Sequence, residues 1–344
     1  MQKNLVQELI IASVHNQVLS QMANTLSIKA ALASASALLN TEESTLEAQL
    51  LLQHALNVNR AWLIVHENDA LQPNIHAVFE VLLKRRLNGE PIAYILGYRE
   101  FYGLRLKVTA DTLIPRPDTE TLVEAALAKI PPNANSPSFR RKWESIGFTV
   151  NKNLKMDSRL RGNDEGDVKF TILDLGTGTG AIALAIAHHR PQACVTAVDA
   201  SENALNIAQE NAQNLNITNI NFVQSDWFSA LRLVNLQYEN IMQKFDLIVS
   251  NPPYIEQDDA HLSQGDLRFE PISALASGSD GLDDIRKIID SAAPHLNPQG
   301  WLMLEHGYNQ AESVATLLKQ AGFTEVGHAL DLAGIQRVTL GRLI

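Results

Sequence analysis

A mostly parallel β-sheet covered by helices on both faces, preceded by a segment that is helical only, is the fold this chain predicts. Two observations carry that expectation. From Phe170 onward, short apolar runs alternate with longer amphipathic ones, the pattern of strand–helix–strand units whose parallel strands are buried on both sides. Before residue 90, apolar residues recur only at helical spacing. At roughly 100–200 residues per domain, 344 residues allow two or three domains. The expected boundaries are 1–90 for a helical domain, 91–110 for a hairpin linker and 111–344 for the α/β domain.

In chain order, the helical faces read as Leu5, Leu9 and Ile10; Leu26, Ala30 and Leu38; Leu46, Leu50, Leu51 and Ala55; and Ile75, Val78, Phe79, Leu82 and Leu83. Breaks fall near Asn40-Thr41, Asn57 to Asn59 and Gln72-Pro73. Lys84-Arg85-Arg86 lies where cations suit the carboxyl end of a helix dipole, and reads as a solvated cluster before the Asn88-Gly89 stop. Pro91 to Gly97 and Leu104 to Val108 alternate around Gly103, which predicts a hairpin. Pro117 and the acids Asp118 and Glu120 open a helix to Ile130, with Leu122, Val123, Ala126, Leu127 and Ile130 inward. Residues 133–167 hold seven Lys/Arg and five Asp/Glu without sustained periodicity, and read as a mobile surface insertion. Within them, Lys155 to Asp164 resembles a translated bacterial repeat element. Strands are then expected near 170–174, 193–198, 220–224, 245–250, 300–305, 324–330 and 336–341. Helices are expected near 180–189, 201–214, 281–293 and 308–321.

The formal net charge of −10 speaks against a protein whose main work is gripping a nucleic-acid backbone. The single cysteine, Cys194, has no internal partner and reads as a buried structural thiol in a reducing compartment. The first forty residues lack a cleavable leader pattern and an apolar span of ~20 residues, so a cytoplasmic protein is expected.

Two stretches carry chemistry. Asp174-Leu175-Gly176-Thr177-Gly178-Thr179-Gly180 follows the first strand and opens a helix, so glycine turns and free N–H groups face a ligand there. Its G-x-G-x-G spacing departs from the dinucleotide fingerprint, and it lacks the Gly-Lys-Ser/Thr of a phosphate loop. The next strand ends at Asp199, suited to the two hydroxyls of an adenosine ribose, although a plain capping role suits it as well; Ser201 is the expected N-cap. The third strand leads to Ser225-Asp226-Trp227-Phe228, an acid and an indole able to hold and cover an adenine.

The second stretch is Asn251-Pro252-Pro253-Tyr254, at the end of the apolar run Phe245 to Ser250. Each proline fixes its own φ and offers no N–H, leaving carbonyl acceptors, the Asn251 amide and the Tyr254 ring. That set suits a flat amino or amide group donating two hydrogen bonds, although the same residues can simply stop a strand. Loop, ribose acid, adenine platform and this end of strand four, in that order, resemble class I S-adenosylmethionine-dependent methyltransferases. The resemblance implies a Rossmann-like, seven-stranded, mostly parallel sheet and S-adenosylmethionine as cofactor. On these residues alone adenine, cytosine, guanine and glutamine amides all remain candidate acceptors.

Longer segments choose among them by likeness. Pro91 to Gly97, Glu100-Phe101, Leu113 to Glu120, Asp174 to Ile182, Asn251 to Tyr254, Gly265 to Pro271, Gly281 to Asp283 and Leu304 to Gly307 together resemble the bacterial release-factor glutamine methyltransferases. The resemblance covers about residues 25–132 and 168–344; the first 24 residues and the insertion have no place in it. It implies N5-methylation of the glutamine in the Gly-Gly-Gln motif of peptide chain release factors, with the helical domain contacting the release factor. It also implies that Gly176, Thr177, Gly178, Thr179, Gly180, Asp199, Trp227 and Asn251 bind cofactor. Asn251, Pro252, Pro253 and Tyr254 are implied to hold the substrate glutamine, with Asn251, Pro252 and Tyr254 serving catalysis. A DNA or RNA amino-methyltransferase using the same residues is the alternative, and a cofactor-binding protein without turnover a third. Arg116 is expected at the site mouth or paired with Glu120, Arg268 with Glu270 in a lid, and Glu305-His306 at the site edge. The other histidines, including His188-His189, read as surface residues, and no metal is expected.

Overall fold

The computed structural model describes residues 26–131, 169–235 and 238–344. The expected helical face at Leu5, Leu9 and Ile10 and the expected insertion at 133–167 lie outside the described residues. The chain divides between Gly97 and Tyr98 into two compact units.

The first unit contains α1 (Ile28–Leu39), α2 (Ser44–Leu56), α3 (Arg60–Val65), α4 (Pro73–Leu87) and α5 (Ile92–Leu96). Ser27 and Asn59 cap their helices through side-chain bonds to the N–H groups of Ala30 and Trp62, and Pro73 starts α4 where its missing N–H does no harm. Asn40 and Asn57 end α1 and α2 in left-handed backbone. The core is built from Ile28, Ala35, Leu39, Leu51, Leu52, Leu63, Phe79 and Leu82. Leu26 and Leu38, expected inward, are exposed, because the buried stripe of α1 runs through Ile28, Ala31, Ala35 and Leu39. The basic trio is only partly a solvated cluster: Lys84 is exposed, whereas both arginines are paired. Arg86 reaches Glu47 at 2.8 Å with both side chains largely buried, and Arg85 pairs with Glu90.

The run Pro91 to Gly97, expected as a strand, is instead the short helix α5. Pro91 stands at its N-cap and Gly97 ends it at φ +77°. Five consecutive apolar residues do not distinguish helix from strand, so the punctuation at both ends decides. The hairpin lies one step later: β1 (Tyr98–Phe101) pairs with β2 (Leu104–Lys107), Phe101 opposite Leu104.

The second unit continues through a 3₁₀ turn (Pro117–Thr119) into α6 (Glu120–Lys129), then β3 (Thr171–Leu175), α7 (Ala181–His189), β4 (Cys194–Asp199), α8 (Glu202–Asn214) and β5 (Ile220–Gln224). There follow β6 (Arg232–Asn235), β7 (Tyr238–Met242), β8 (Phe245–Ser250), α9 (Asp283–Ala292), β9 (Leu296–Glu305), α10 (Ala311–Gln320), β10 (Thr324–Leu330) and β11 (Gln336–Arg342). Seven strands form one sheet in the order β10-β11-β9-β8-β3-β4-β5. The five from β9 to β5 run parallel, and β11 is antiparallel to both of its neighbours. One face is packed by Leu122, Val123, Ile182 and Ile186, the other by Ile285, Ile288, Ile289 and Val314. The small β6–β7 pair was not expected from the sequence. Cys194 is half-buried at the start of β4 rather than deep in the core.

Polar side chains join the central strands at both ends. At the amino end, Asp246 Oδ2 accepts from the Thr171 N–H at 2.8 Å and its hydroxyl at 3.0 Å, and Oδ1 accepts from Asn297 Nδ2 at 2.7 Å. At the carboxyl end the Ser250 hydroxyl donates to the Leu175 carbonyl at 2.8 Å. Because β4 and β8 flank β3 on opposite sides, chain order reverses beside it, and the crevice beyond these carboxyl ends is where ligands of such sheets sit.

Candidate active site

The glycine-rich loop leaves β3 into that crevice. Gly176, Gly178 and Gly180 take φ of +70°, +56° and +83°, left-handed backbone that a side chain resists. The loop is tied down from both sides. Thr177 N–H donates to the Val198 carbonyl, and Gly178 N–H donates to Asp199 Oδ2 at 2.8 Å. Asp199 Oδ1 accepts from Ser201 N–H, and Ser201 caps α8 as expected. Burial raises the Asp199 pKa, against these N–H bonds, which lower it. Thr177 and Thr179 turn inward. The Thr177 hydroxyl donates to Asp174 Oδ2 at 2.6 Å, and the Thr179 carbonyl accepts from Asn211. Asp174 is fully buried, its Oδ1 has no hydrogen-bond partner, and desolvation pushes its pKa up to about 7.

Beside the loop lies a cavity of about 560 Å³, lined by Gly176, Gly178, Asp199, Asp226, Trp227, Asn251 and Pro253 among others. Trp227 adopts φ +47°, and a Cβ on Gly176 would stand 3.5 Å from its ring. That is ordinary van der Waals contact, so the positive φ rather than the room beside the indole favours glycine there. Phe228, the next residue, instead stacks in the core against His295. The 110–113 segment and Pro271, Ser273, Ala274 and Ala276 complete the wall. No periodicity or charge pattern marked these residues as lining.

Asn251 to Tyr254 stand at the end of β8. Asn251 Nδ2 donates to Thr119 Oγ1 at 3.1 Å, which turns the amide oxygen away from Thr119. The Tyr254 hydroxyl donates to Glu305 Oε1 at 3.3 Å, and the Thr119 side chain lowers the pKa of this carboxylate. Glu305 is 1% exposed, its Oε2 is unpartnered, and desolvation pushes its pKa up to about 7. Burial and the neighbouring Glu305 drive the Tyr254 phenol upward, so it stays protonated. From behind, Gln310 Nε2 donates to the Tyr254 carbonyl at 3.0 Å. Gly281, at φ +73°, packs against the same carbonyl, and a Cβ there would lie 2.2 Å from its oxygen.

A second, smaller cavity of about 70 Å³ is lined by Arg116, Asn251, Pro252, Tyr254 and Leu267 among others. Asn251 thus borders both cavities. The ion pairs expected here are re-partnered. Arg116 pairs with Glu270 rather than Glu120, Glu270 also accepts from Ile114 N–H, and Glu120 accepts from Tyr102 N–H. Arg268 lies over the Phe269 ring. Glu305 is at the site, whereas buried His306 bonds the Thr339 hydroxyl of β11 at 2.7 Å. Thr119 was missed: it looked like one more residue of a helix start, and its side-chain partner Asn251 is 132 residues away in sequence. His188 and His189 are exposed. Among the described residues, no three or more His, Cys, Asp or Glu side chains group to hold a metal ion.

Residues 167–331 match the family model described as a methyltransferase domain, and residues 30–97 match the PrmC N-terminal domain. The chain is 43% identical over 298 residues to a release factor glutamine methyltransferase of Bordetella pertussis, covering 87% of this chain and 94% of that protein. It is 44% identical over 296 residues to one of Xylella fastidiosa, covering 86% and 92%. To that of Escherichia coli it is 41% identical over 302 residues, covering 88% and 93%.

Proposed function

The chain belongs to the release factor glutamine methyltransferase family, and we infer from this that it methylates a glutamine side-chain amide in peptide chain release factors. The methyl donor is S-adenosylmethionine, the methylated atom is N5, and the glutamine is that of the Gly-Gly-Gln motif. The observation that carries the reading is Asn251, which borders both cavities and is held by Thr119 with its amide oxygen turned away from it.

S-adenosylmethionine supplies a methyl group on a sulfonium, open to in-line displacement. The larger cavity is of a size to hold it, within the ~300–1,000 Å³ usual for such ligands. Asp199 would take the ribose hydroxyls, Asp226 and Trp227 the adenine, and the backbone of Gly176 to Gly180 the rest. An amide nitrogen is a weak nucleophile because its lone pair is delocalised. Orientation can supply up to ~7–11 kcal/mol of the barrier. The Asn251 side-chain oxygen and the Pro252 carbonyl accept the two N–H bonds of the glutamine amide, fixing its plane and raising electron density on nitrogen. Tyr254 packs on the amide and excludes water. The product loses its proton to water after transfer, so the site requires no strong base.

The helical unit is assigned to gripping the release factor. Its match to the PrmC N-terminal domain and the exposed Ile64, Val65, Val78 and Val81 support that role. A substrate of translation supports a cytoplasmic location for the enzyme.

Mass spectrometry of the Gly-Gly-Gln peptide, after incubation of a release factor with the enzyme and S-adenosylmethionine, tests the reading. One added methyl on the glutamine is expected. Asn251→Ala should lower kcat by ~10²–10³ at saturating cofactor. Methyl label entering nucleic acid instead, or near-normal turnover by that variant, would overturn it.

A further inference from the structure

We infer that Glu270 masks the charge of Arg116 and thereby makes the smaller cavity select a side-chain amide over a carboxylate. The inference rests on the reading of Asn251 to Tyr254 as the clamp for the substrate glutamine, and it adds how glutamine is told from glutamate. Those two side chains have nearly the same shape, so only charge and hydrogen-bond polarity separate them.

At about 70 Å³ the cavity is several times the ~10–15 Å³ that one water needs, which is room for an amide. Leu113, Leu267 and Leu275 give it an apolar side, and the clamp gives it a polar one. Among the described residues that line it, Arg116 is the only charged one. An arginine there is at odds with the ligand. The Asn251 side-chain oxygen and the Pro252 carbonyl suit the N–H groups of an amide. A guanidinium only donates, in a fork that matches a carboxylate. Unmasked between apolar walls, it would draw glutamate in and offer an amide nitrogen nothing.

Glu270 answers that charge from behind. Its Oε1 accepts from Arg116 Nη2, and its Oε2 accepts from Ile114 N–H at 2.9 Å. The Glu270 side chain is fully buried, whereas that of Arg116 is 33% exposed, so of the pair only the cation borders the cavity. Burial raises the Glu270 pKa, and Arg116 and the Ile114 N–H work against that rise. Joining the 114 and 270 segments requires only the bond to Ile114 N–H, which a glutamine at 270 would also accept. The negative charge answers Arg116 alone.

The mask is tested in the full-length enzyme saturated with S-adenosylhomocysteine, which has no methyl to transfer. Two release factors are titrated by calorimetry, one natural and one with glutamate in place of the Gly-Gly-Gln glutamine. The quantity read is the ratio of their Kd values, glutamate form over glutamine form. Wild type should give a ratio of at least ~10. Glu270→Gln keeps an acceptor for Ile114 N–H and unmasks Arg116, so the ratio should fall about tenfold. Adding Arg116→Gln removes the cation and should restore it. A pair that only braces the loops would weaken both forms together and leave the ratio unmoved. An unchanged ratio in folded Glu270→Gln, or one that stays low in the double variant, would overturn the mask. Should Glu270→Gln fail to fold, as a thermal melt would reveal, the wild-type ratio still decides, and a value near 1 overturns the mask. Methylation of the natural release factor run alongside separates the two levels. If its glutamine is methylated and the ratios fail, the mask alone falls; if no methyl enters it, the reading of the clamp falls.

Discussion

Replacing Gly281 by alanine should act on the reaction through the backbone of Tyr254. At φ +73° an L-residue is strained by ~1–2 kcal/mol. The added carbon would lie 2.2 Å from the Tyr254 oxygen and 2.7 Å from Gln310 Nε2, whereas real Cβ atoms essentially never come within 3.0 Å of such neighbours. The Tyr254 carbonyl must therefore retreat by about 0.8 Å, and the Gln310 bond that holds it is lost, at ~1 kcal/mol. Total destabilisation should be ~2–3 kcal/mol. A displacement of that size beside the reacting amide should lower kcat by ~10²-fold. Gly322→Ala is the control, since Gly322 has φ +87° with nothing within 4 Å of an added Cβ. It should lose ~1–2 kcal/mol and keep its kcat. Urea unfolding and steady-state methylation of a release factor measure both quantities. Gly281→Ala turning over within about threefold of wild type would refute the link between this glycine and the amide clamp.

Two further outcomes are expected. Asp199→Ala should weaken S-adenosylmethionine binding by ~10–100-fold, measured by titration calorimetry, through loss of charge-assisted bonds to two hydroxyls; an unchanged Kd would leave Asp199 as a loop brace only. Asp174 has its folded pKa raised from 3.8 to about 7, so the folded state binds more protons than the unfolded state between those values. Its contribution is fully present below pH ~4 and lost as pH rises through 7, by at most ~4 kcal/mol. The melting temperature of Asp174→Asn relative to wild type should therefore climb from pH 5 to pH 8, and a flat difference would contradict the desolvated carboxyl.

What the sequence disclosed depended on the range of the interaction. The seven strands were legible because β3, β4 and β8 are buried on both faces, which leaves short uninterrupted apolar runs between helices of clear period. The backbone form of Gly176 to Gly180 and the place of Asn251 to Tyr254 at a strand end were legible because they are local: positive φ, missing N–H groups, the end of one apolar run. Residues 91–97 were misassigned because five apolar residues satisfy either period. Arg116 and Glu120 looked paired because they are four apart, yet Glu270, 154 residues on, holds the guanidinium. Thr119 was beyond sequence reasoning for the same reason, whereas Glu305 was expected at the site edge because it ends a central strand. The part Thr119 plays comes from its contact with Asn251 beyond the end of β8, 132 residues away, and no local pattern encodes it.

The Asp246 clamp at the amino end of the sheet has a consequence for the distance at which the clamp at the other end operates. All six residues of β8 are buried, so hydrophobicity is nearly indifferent to how far the strand slides along β3 and β9. Asp246 is not indifferent. Only one alignment meets the Thr171 N–H and hydroxyl and the Asn297 amide together. A slip of two residues, the smallest that keeps each side chain on its own face, would strand a buried acid and carry Asn251 ~7 Å along the strand axis. The position of Asn251 beside the two cavities is thus a length measured from a carboxylate five residues upstream, at the opposite end of the same strand.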